Sequence, residues 1–294
     1  MRVLIIGCGY VGLPLATELA RQDHEVFGLR RSVSAKNELT AAGIKPVFAD
    51  ITKPDELAGL PAPFDWIVNC VASSGGGAEE YRNVYLLGTR NLLSWLASAP
   101  PKRFVYTGST SVYGQDDGSE VDETSPAQPL AQTARVLLET ERLLLEAARE
   151  RSFPSILLRL AGIYGPGRGY WFKQFLSGEA RLEGKGGRIL NMIHRDDVVG
   201  CIVAALQNGR SGEIYNGVDD EPVSQFAFFE WLAGRLGKPL PPSAPESAEA
   251  RKHGLTNKKV SNQKLKRELG YRFKYPTFRQ GYAAEVVRQA APQQ

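Results

Sequence analysis

The residues whose spacing implies chemistry come first in the chain. Gly7, Gly9 and Gly12 stand in GCGYVG, between the apolar run Arg2–Ile6 and a segment with Val11, Leu15 and Leu19 at helical spacing. In a strand–turn–helix setting the first glycine permits a tight turn and the second lets a phosphate approach the backbone. The third lets helix and strand pack closely. The helix N-terminus adds amide donors and a positive dipole end, so this loop, with Tyr10 and Val11 inside it, reads as a pyrophosphate cradle for a dinucleotide. The following strand ends GLRRS. About 20 residues beyond the glycines, where an acid would bind a free ribose diol, the chain places Arg30, Arg31 and Ser32. Guanidinium groups pair with a 2′-phosphate that a carboxylate would repel, so the expectation is NADP(H) in preference to NAD(H).

These residues need strands and helices to hold them, and the apolar periodicity supplies both. Strands are expected at Arg2–Ile6, Glu25–Leu29, Lys45–Phe48, Asp65–Val71 (bounded by the turn SSGGG), Arg103–Thr107 and Phe153–Leu160. Helices are expected at Tyr10–Gln22, Val33–Ala42, Glu79–Ala99 and Gln132–Arg151. That alternation predicts an α/β fold: a Rossmann-type, doubly wound parallel sheet covered on both faces. From Gly165 onward Gly- and Pro-rich loops and the linker KPLPPSAPES point to a smaller, irregular C-terminal substrate lobe. The expected division is residues 1–165, with 191–218 returning to the sheet, against a lobe of 166–190 and 219–294.

Composition narrows the class. The chain has 294 residues, 43% of them hydrophobic, and a net charge of +4, which excludes global disorder. No run of about eighteen apolar residues offers a membrane span. Cys8, Cys70 and Cys201 are odd in number and lack CxxC spacing, so neither a disulfide scaffold nor a metal site is expected, and reduced thiols in a cytoplasmic protein are the plain reading. Residues 251–279 hold ten Lys/Arg against the single acid Glu268. Tyr271, Phe273, Tyr275 and Phe278 are interleaved there, as in some nucleic-acid binders, but a solvated helix face is the preferred reading.

Further segments follow in order: FADIT, DWIVNCVASS, LLGTRNLL, RFVYTGSTSVYG, RLAGIYGPG, MIHRDDVVGCI, GEIYNGVDDEPVS and SNQKLKRELGY. With the glycine loop, this series resembles the extended short-chain dehydrogenase/reductase superfamily, in its NAD-dependent epimerase/dehydratase group. It is most similar to the atypical, YeeZ-like branch. The resemblance implies that Asp50 and Ile51 border the adenine and that Val71, Ala72 and Thr107 line the cofactor. It also places Ser109, four residues before Tyr113, at the position of a serine that hydrogen-bonds the reacting hydroxyl or carbonyl; Thr107, Thr110 and Ser111 are alternatives. A small-molecule substrate follows, with nucleotide-sugars as the relatives' class, and Arg168, Lys173, Arg181, Lys185 and Arg188 lie around the corresponding loop. A homodimer through residues 79–99 and 131–150 is implied as well.

Two departures bear on mechanism. Relatives carry out proton transfer with a Tyr-x-x-x-Lys pair, in which the lysine lowers the tyrosine pKa. Here the aligned positions read as Ala131 and Arg135, and arginine cannot shuttle a proton. Arg135 is left to contact a ribose hydroxyl or to pair with Glu139. Tyr85 replaces an expected asparagine; it is a candidate acid, although a packed aromatic is preferred. Ser109 with Tyr85, Tyr113 or a water would then manage the proton. His194 is expected to have a hydrogen-bonding, structural role. Two functions follow: an NAD(P)-dependent, epimerase-like oxidoreductase at a hydroxyl/carbonyl centre, or a non-catalytic NADP-binding sensor.

Overall fold

The computed structural model describes residues 1–73, 75–244 and 256–290. Ser74 of the SSGGG turn, the end of the Pro-rich linker (245–247) and residues 251–255 of the basic stretch lie outside the described residues. Seven strands form the central sheet: β1 Arg2–Ile6, β2 Glu25–Arg30, β3 Lys45–Phe48, β4 Trp66–Asn69, β5 Arg103–Ser109, β6 Ser155–Leu160 and β7 Ile214–Gly217. Their order is β7-β6-β5-β4-β1-β2-β3, and every neighbouring pair is parallel. Parallel strands need crossovers, and the helices that make them cover both faces. This explains the unbroken apolar runs: all six residues of β6 are buried, as are four of the five in β1. The strand order reverses between β1 and β4, which opens a crevice at their C-terminal ends.

The helices flanking that crevice carry the candidate residues. Helix α1 spans Gly12–Arg21, and α2 Lys36–Ala41 follows a 3₁₀ turn at Val33–Ala35. A short helix absent from the sequence reading, α3 Pro54–Ala58, starts at a proline in its first turn. Helix α4 is built of three abutting segments, Ala78–Tyr81, Arg82–Leu87 and Gly88–Trp95, and the middle one is a π-helical turn. Helix α5 covers Gln132–Arg151. It packs against α4, where Arg82 pairs with Glu139 at 3.1 Å. No helix among the described residues is long and apolar enough to cross a membrane.

Two cores result. The larger one lies within the sheet and its helices and extends to α7, Arg195–Asn208. The smaller one gathers Tyr164, Phe172, Phe175, Phe228, Phe229, Phe278 and Tyr282. It is built on α6 Tyr170–Ser177 and α8 Gln225–Leu236. One segment expected in the lobe packs elsewhere. Strand Lys259–Val260 and helix α9 Gln263–Leu269 bury Val260, Leu265 and Leu269 in the larger core. The chain therefore returns to the sheet domain a second time.

Among the described residues of the basic stretch, the aromatic side chains and some of the lysines are spent on packing and pairing. Phe278 is fully buried. Tyr275 packs against His194 in a tilted arrangement with ring centres 4.0 Å apart, and the Tyr271 hydroxyl donates to Asp197 Oδ1 at 2.7 Å. Lys264 and Lys266 pair with Glu213 and Asp220. His194 caps α7, its Nδ1 accepting from Asp196 N at 3.1 Å.

Candidate active site

The glycines of the first loop are constrained one by one. Gly7 has φ +84°, and a Cβ there would stand 2.7 Å from Val71 N, so β1 and the strand end at β4 meet backbone to backbone. A Cβ on Gly12 would stand 2.5 Å from Gly7 O, which fixes how closely α1 approaches the turn. Gly9 differs: the nearest atom to its would-be Cβ is 3.9 Å away, so the missing side chain leaves open space. No side chain caps the N-terminus of α1; Leu13 N donates to Gly9 O at 2.8 Å and Pro14 has no N–H, which leaves the amides of Val11 and Gly12 to face an anion. A cleft of about 700 Å³ opens here, lined by Gly7, Gly9, Tyr10 and Val11. Gly12 stays beneath it as a packing residue.

At one end the cleft is lined by Arg30, Arg31, Asp50 and Ile51. The arginines divide the work. Arg30 donates from Nη1 to Cys8 O at 2.7 Å, bracing the glycine loop, and stands 3.7 Å from Glu38. Arg31 is exposed and forms no ion pair with a described residue. Ser32 does not line the cleft; its Oγ accepts from Ser34 N at 3.3 Å and caps the 3₁₀ turn. One oxygen of Asp50 accepts from Thr52 N and Thr52 Oγ1. Val71, Ala72 and Thr107 continue the lining toward the other end.

That other end is formed by Ser109, Tyr85, Thr133 and Leu137. Ser109 Oγ accepts from Ser111 N at 3.1 Å, which leaves its own hydroxyl hydrogen to donate. Tyr85 lies on the π-helical turn, packs against the tilted ring of Tyr81 at 4.9 Å and accepts from Ser73 N at 3.2 Å. Burial raises its phenol above the ordinary value.

Three sequence-based placements change here. Tyr113 does not reach the cleft: it is fully buried, and its hydroxyl donates to Asn216 Oδ1 at 2.9 Å. Arg135 is also outside, exposed, donating from Nε to Pro129 O at 3.3 Å. It makes no pair with Glu139, which binds Arg82 instead. The helix register is therefore shifted by two residues. Thr133 and Leu137, four apart on one face of α5, occupy the cleft-lining positions that the sequence reading gave to Ala131 and Arg135.

A buried ion pair fixes that register. Glu141, one turn beyond Leu137, accepts from Arg159 Nε at 3.1 Å and from Nη2 at 2.7 Å, and both side chains are 5% exposed or less. Arg159 also lies 4.8 Å from the centre of the Tyr113 ring. A Cβ on Gly108 would stand 3.2 Å from Glu141 Oε1, so the pair sits directly under the strand end that carries Ser109. Burial raises the Glu141 carboxyl against the pull of Arg159.

Beyond Ser109 a second cavity, of about 340 Å³, separates the sheet from the lobe and shares Ser109, Ser111 and Gly162 with the first. Tyr164, Tyr170, Trp171 and Tyr282 supply aromatic walls, with Arg188 and Lys258 as cations. Glu183 holds Arg188 at 3.0 and 3.1 Å. Of the five basic residues expected around the 165–190 loop, Arg168 lines the first cavity and Arg188 the second. Lys173, Arg181 and Lys185 are exposed. Lys258 was missed within the basic run. The signal that could have found it is the alternation in KKV, with Lys258 and Val260 buried around exposed Lys259.

A glycine-rich loop at the switch point of a 3-2-1-4-5-6-7 parallel sheet, with a second cavity beside it, defines a Rossmann nucleotide-binding enzyme scaffold. The chain belongs to the NAD dependent epimerase/dehydratase family, whose model matches residues 3–216. A nicotinamide dinucleotide is the cofactor of that family. The chain is 29% identical to Protein YeeZ of Escherichia coli over 283 residues, covering 94% of this chain and 96% of YeeZ. A protein from Methylobacillus flagellatus, assigned as an NAD-dependent epimerase/dehydratase, is 34% identical, with a TM-score of 0.78 over 99% of each chain. The dTDP-glucose 4,6-dehydratase DesIV of Streptomyces venezuelae, solved with NAD and TYD bound, has a TM-score of 0.84. It is 24% identical and covers 98% of this chain and 96% of its own, a likeness of fold.

Proposed function

We propose that the chain is an NADP(H)-dependent oxidoreductase, epimerase-like in its chemistry, that acts on a hydroxyl/carbonyl centre of a nucleotide-sugar. The observation that carries this reading is the junction of the two cavities at Ser109. A cofactor laid along the first cavity would present its reactive end where a substrate in the second meets a free hydroxyl donor. The residues fit such a cofactor: Gly9 leaves room for phosphate, Val11 and Gly12 at the start of α1 offer amides, and the exposed Arg31 guanidinium at the cleft's end would suit a 2′-phosphate. When bound, the nicotinamide supplies a hydride acceptor or donor.

The chain's own residues do the rest. Ser109 donates to the reacting oxygen, and Leu137 makes the adjoining wall apolar. Tyr170 and Trp171 offer faces to a sugar or base, and Arg188 offers charge to an anionic group. Calorimetric titration with NADPH and NADH, followed by nicotinamide absorbance with UDP- and dTDP-sugars, tests the proposal. Tighter NADPH binding with turnover of a sugar supports it; equal affinities remove the NADP preference, and no turnover removes the enzyme reading.

A sensor reading is favoured by one feature, the replacement of the usual Tyr and Lys positions by Thr133 and Leu137. It predicts tight cofactor binding with no turnover of any sugar. We also propose that two copies pair through residues 79–99 and 131–150, which light scattering would show as twice the 32.2 kDa chain mass.

A further inference from the structure

We propose that Lys258 is the proton-exchanging residue of the substrate cavity, its Nζ accepting the proton that leaves the substrate hydroxyl held by Ser109. This rests on the oxidoreductase reading above. Thr133 and Leu137, at the positions facing the cofactor cleft, cannot carry a proton near neutral pH. Four phenols on the cavity walls are displaced in the wrong direction: burial raises Tyr10, Tyr85, Tyr164 and Tyr282.

Lys258 is built differently. It lines the same cavity as Ser109, yet it is 4% exposed. Its Nζ donates to Tyr113 O at 2.8 Å and to Thr256 Oγ1 at 2.7 Å, both uncharged. Among the described residues no carboxylate lines this cavity. The charged and titratable groups facing it are Arg188 from the loop before Ile189–Leu190, and the phenols of Tyr164, Tyr170 and Tyr282. Burial, reinforced by the Arg188 charge, lowers the ammonium to about 8. A neutral amine keeps both of its hydrogens on these two acceptors and has a lone pair left for a third partner.

The step balances. The carbinol C–H bond breaks and its electron pair leaves as hydride to the oxidised nicotinamide dinucleotide. The carbonyl bond forms as the O–H bond breaks, and the proton forms a new N–H bond on Lys258, directly or through one water. Reduction runs the same transfers backward.

The test uses the full chain. Protein labelled with ¹³C at lysine Cε is titrated by NMR, and the Lys258 signal is identified by its loss in Lys258→Met. A midpoint near 8 is expected; a midpoint with the ordinary lysines, at about 10.4, overturns the proposal. Lys258→Met and Lys258→Arg are then compared with wild type, with NADPH affinity as the folding control. Where wild type oxidises UDP-glucose or dTDP-glucose, both variants should lose roughly 10²- to 10⁴-fold in kcat. The rise of kcat through pH about 8 should also flatten in both. The arginine variant preserves charge and donors, so rescue by it assigns Lys258 a purely electrostatic role and overturns the proposal. A methionine variant with unchanged kcat and pH profile overturns it too. Wild type that turns over neither sugar instead removes the oxidoreductase reading itself, and the proposal with it.

Discussion

Replacing Arg159 by methionine should unfold the chain more readily, by an amount the geometry allows one to size. The guanidinium is 5% exposed and Glu141 is 1% exposed. The substitution removes the contacts at 2.7 and 3.1 Å and leaves a carboxylate buried without a counter-charge. Breaking such a pair on one side costs about 3–5 kcal/mol. With unfolding entropy proportional to chain length, that corresponds to a Tm lower by roughly 5–8 °C. Calorimetry and urea unfolding at several pH values measure it. The pH dependence has a definite sign. Burial already raises the Glu141 carboxyl, and loss of Arg159 raises it further. A carboxyl with a native pKa above its unfolded one binds its proton more tightly when folded. The deficit should therefore be full above the raised native pKa and shrink as pH falls through it toward the ordinary carboxylate range. Glu141→Gln together with Arg159→Met removes both charges and should recover most of the loss. A deficit in Arg159→Met below about 1 kcal/mol and independent of pH would refute the buried-charge reasoning.

Other outcomes follow from the same contacts. Arg31→Ala should weaken NADPH roughly tenfold and leave NADH nearly unchanged in calorimetric titration, since its charge meets only the extra phosphate. Arg30→Ala should weaken both cofactors, because Arg30 braces Cys8 O in the loop. Tyr113→Phe removes the hydrogen bond to Asn216 and should cost about 1 kcal/mol in urea unfolding, with NADPH affinity unchanged; a large affinity loss would place Tyr113 in the cleft after all. Gly12→Ala should lower Tm and cofactor affinity together, because its methyl group meets Gly7 O.

Much of this architecture is legible in the sequence where local pattern and tertiary role coincide. Arg2–Ile6, Lys45–Phe48 and Gln132–Arg151 have the expected bounds because apolar period and flanking turns agree. The glycine loop is readable for a similar reason, since Gly7 and Gly12 each answer a close backbone contact and Gly9 leaves open space. The face of α5 was not readable. Residues two apart on a helix point about 200° away from each other, so a two-residue slip exchanges the cleft side for the solvent side. TARVLLE alone did not fix the register. The tie between Glu141 and Arg159 on β6 does, and it joins residues 18 apart in the chain. Lys258 was hidden by composition, as one cation among ten in a run; only its burial against Tyr113 O, 145 residues away, distinguishes it.

The central claim is that a nicotinamide dinucleotide lies along the glycine loop, and titration of Gly9→Val beside wild type tests it most directly. A Cβ at Gly9 has no atom closer than 3.9 Å, so the variant should keep the wild-type Tm while its side chain fills the space a phosphate needs. The account predicts saturable one-to-one NADPH binding by wild type and its loss in Gly9→Val. Wild type that binds no NADPH, or a folded Gly9→Val that binds it as tightly as wild type, would contradict the account.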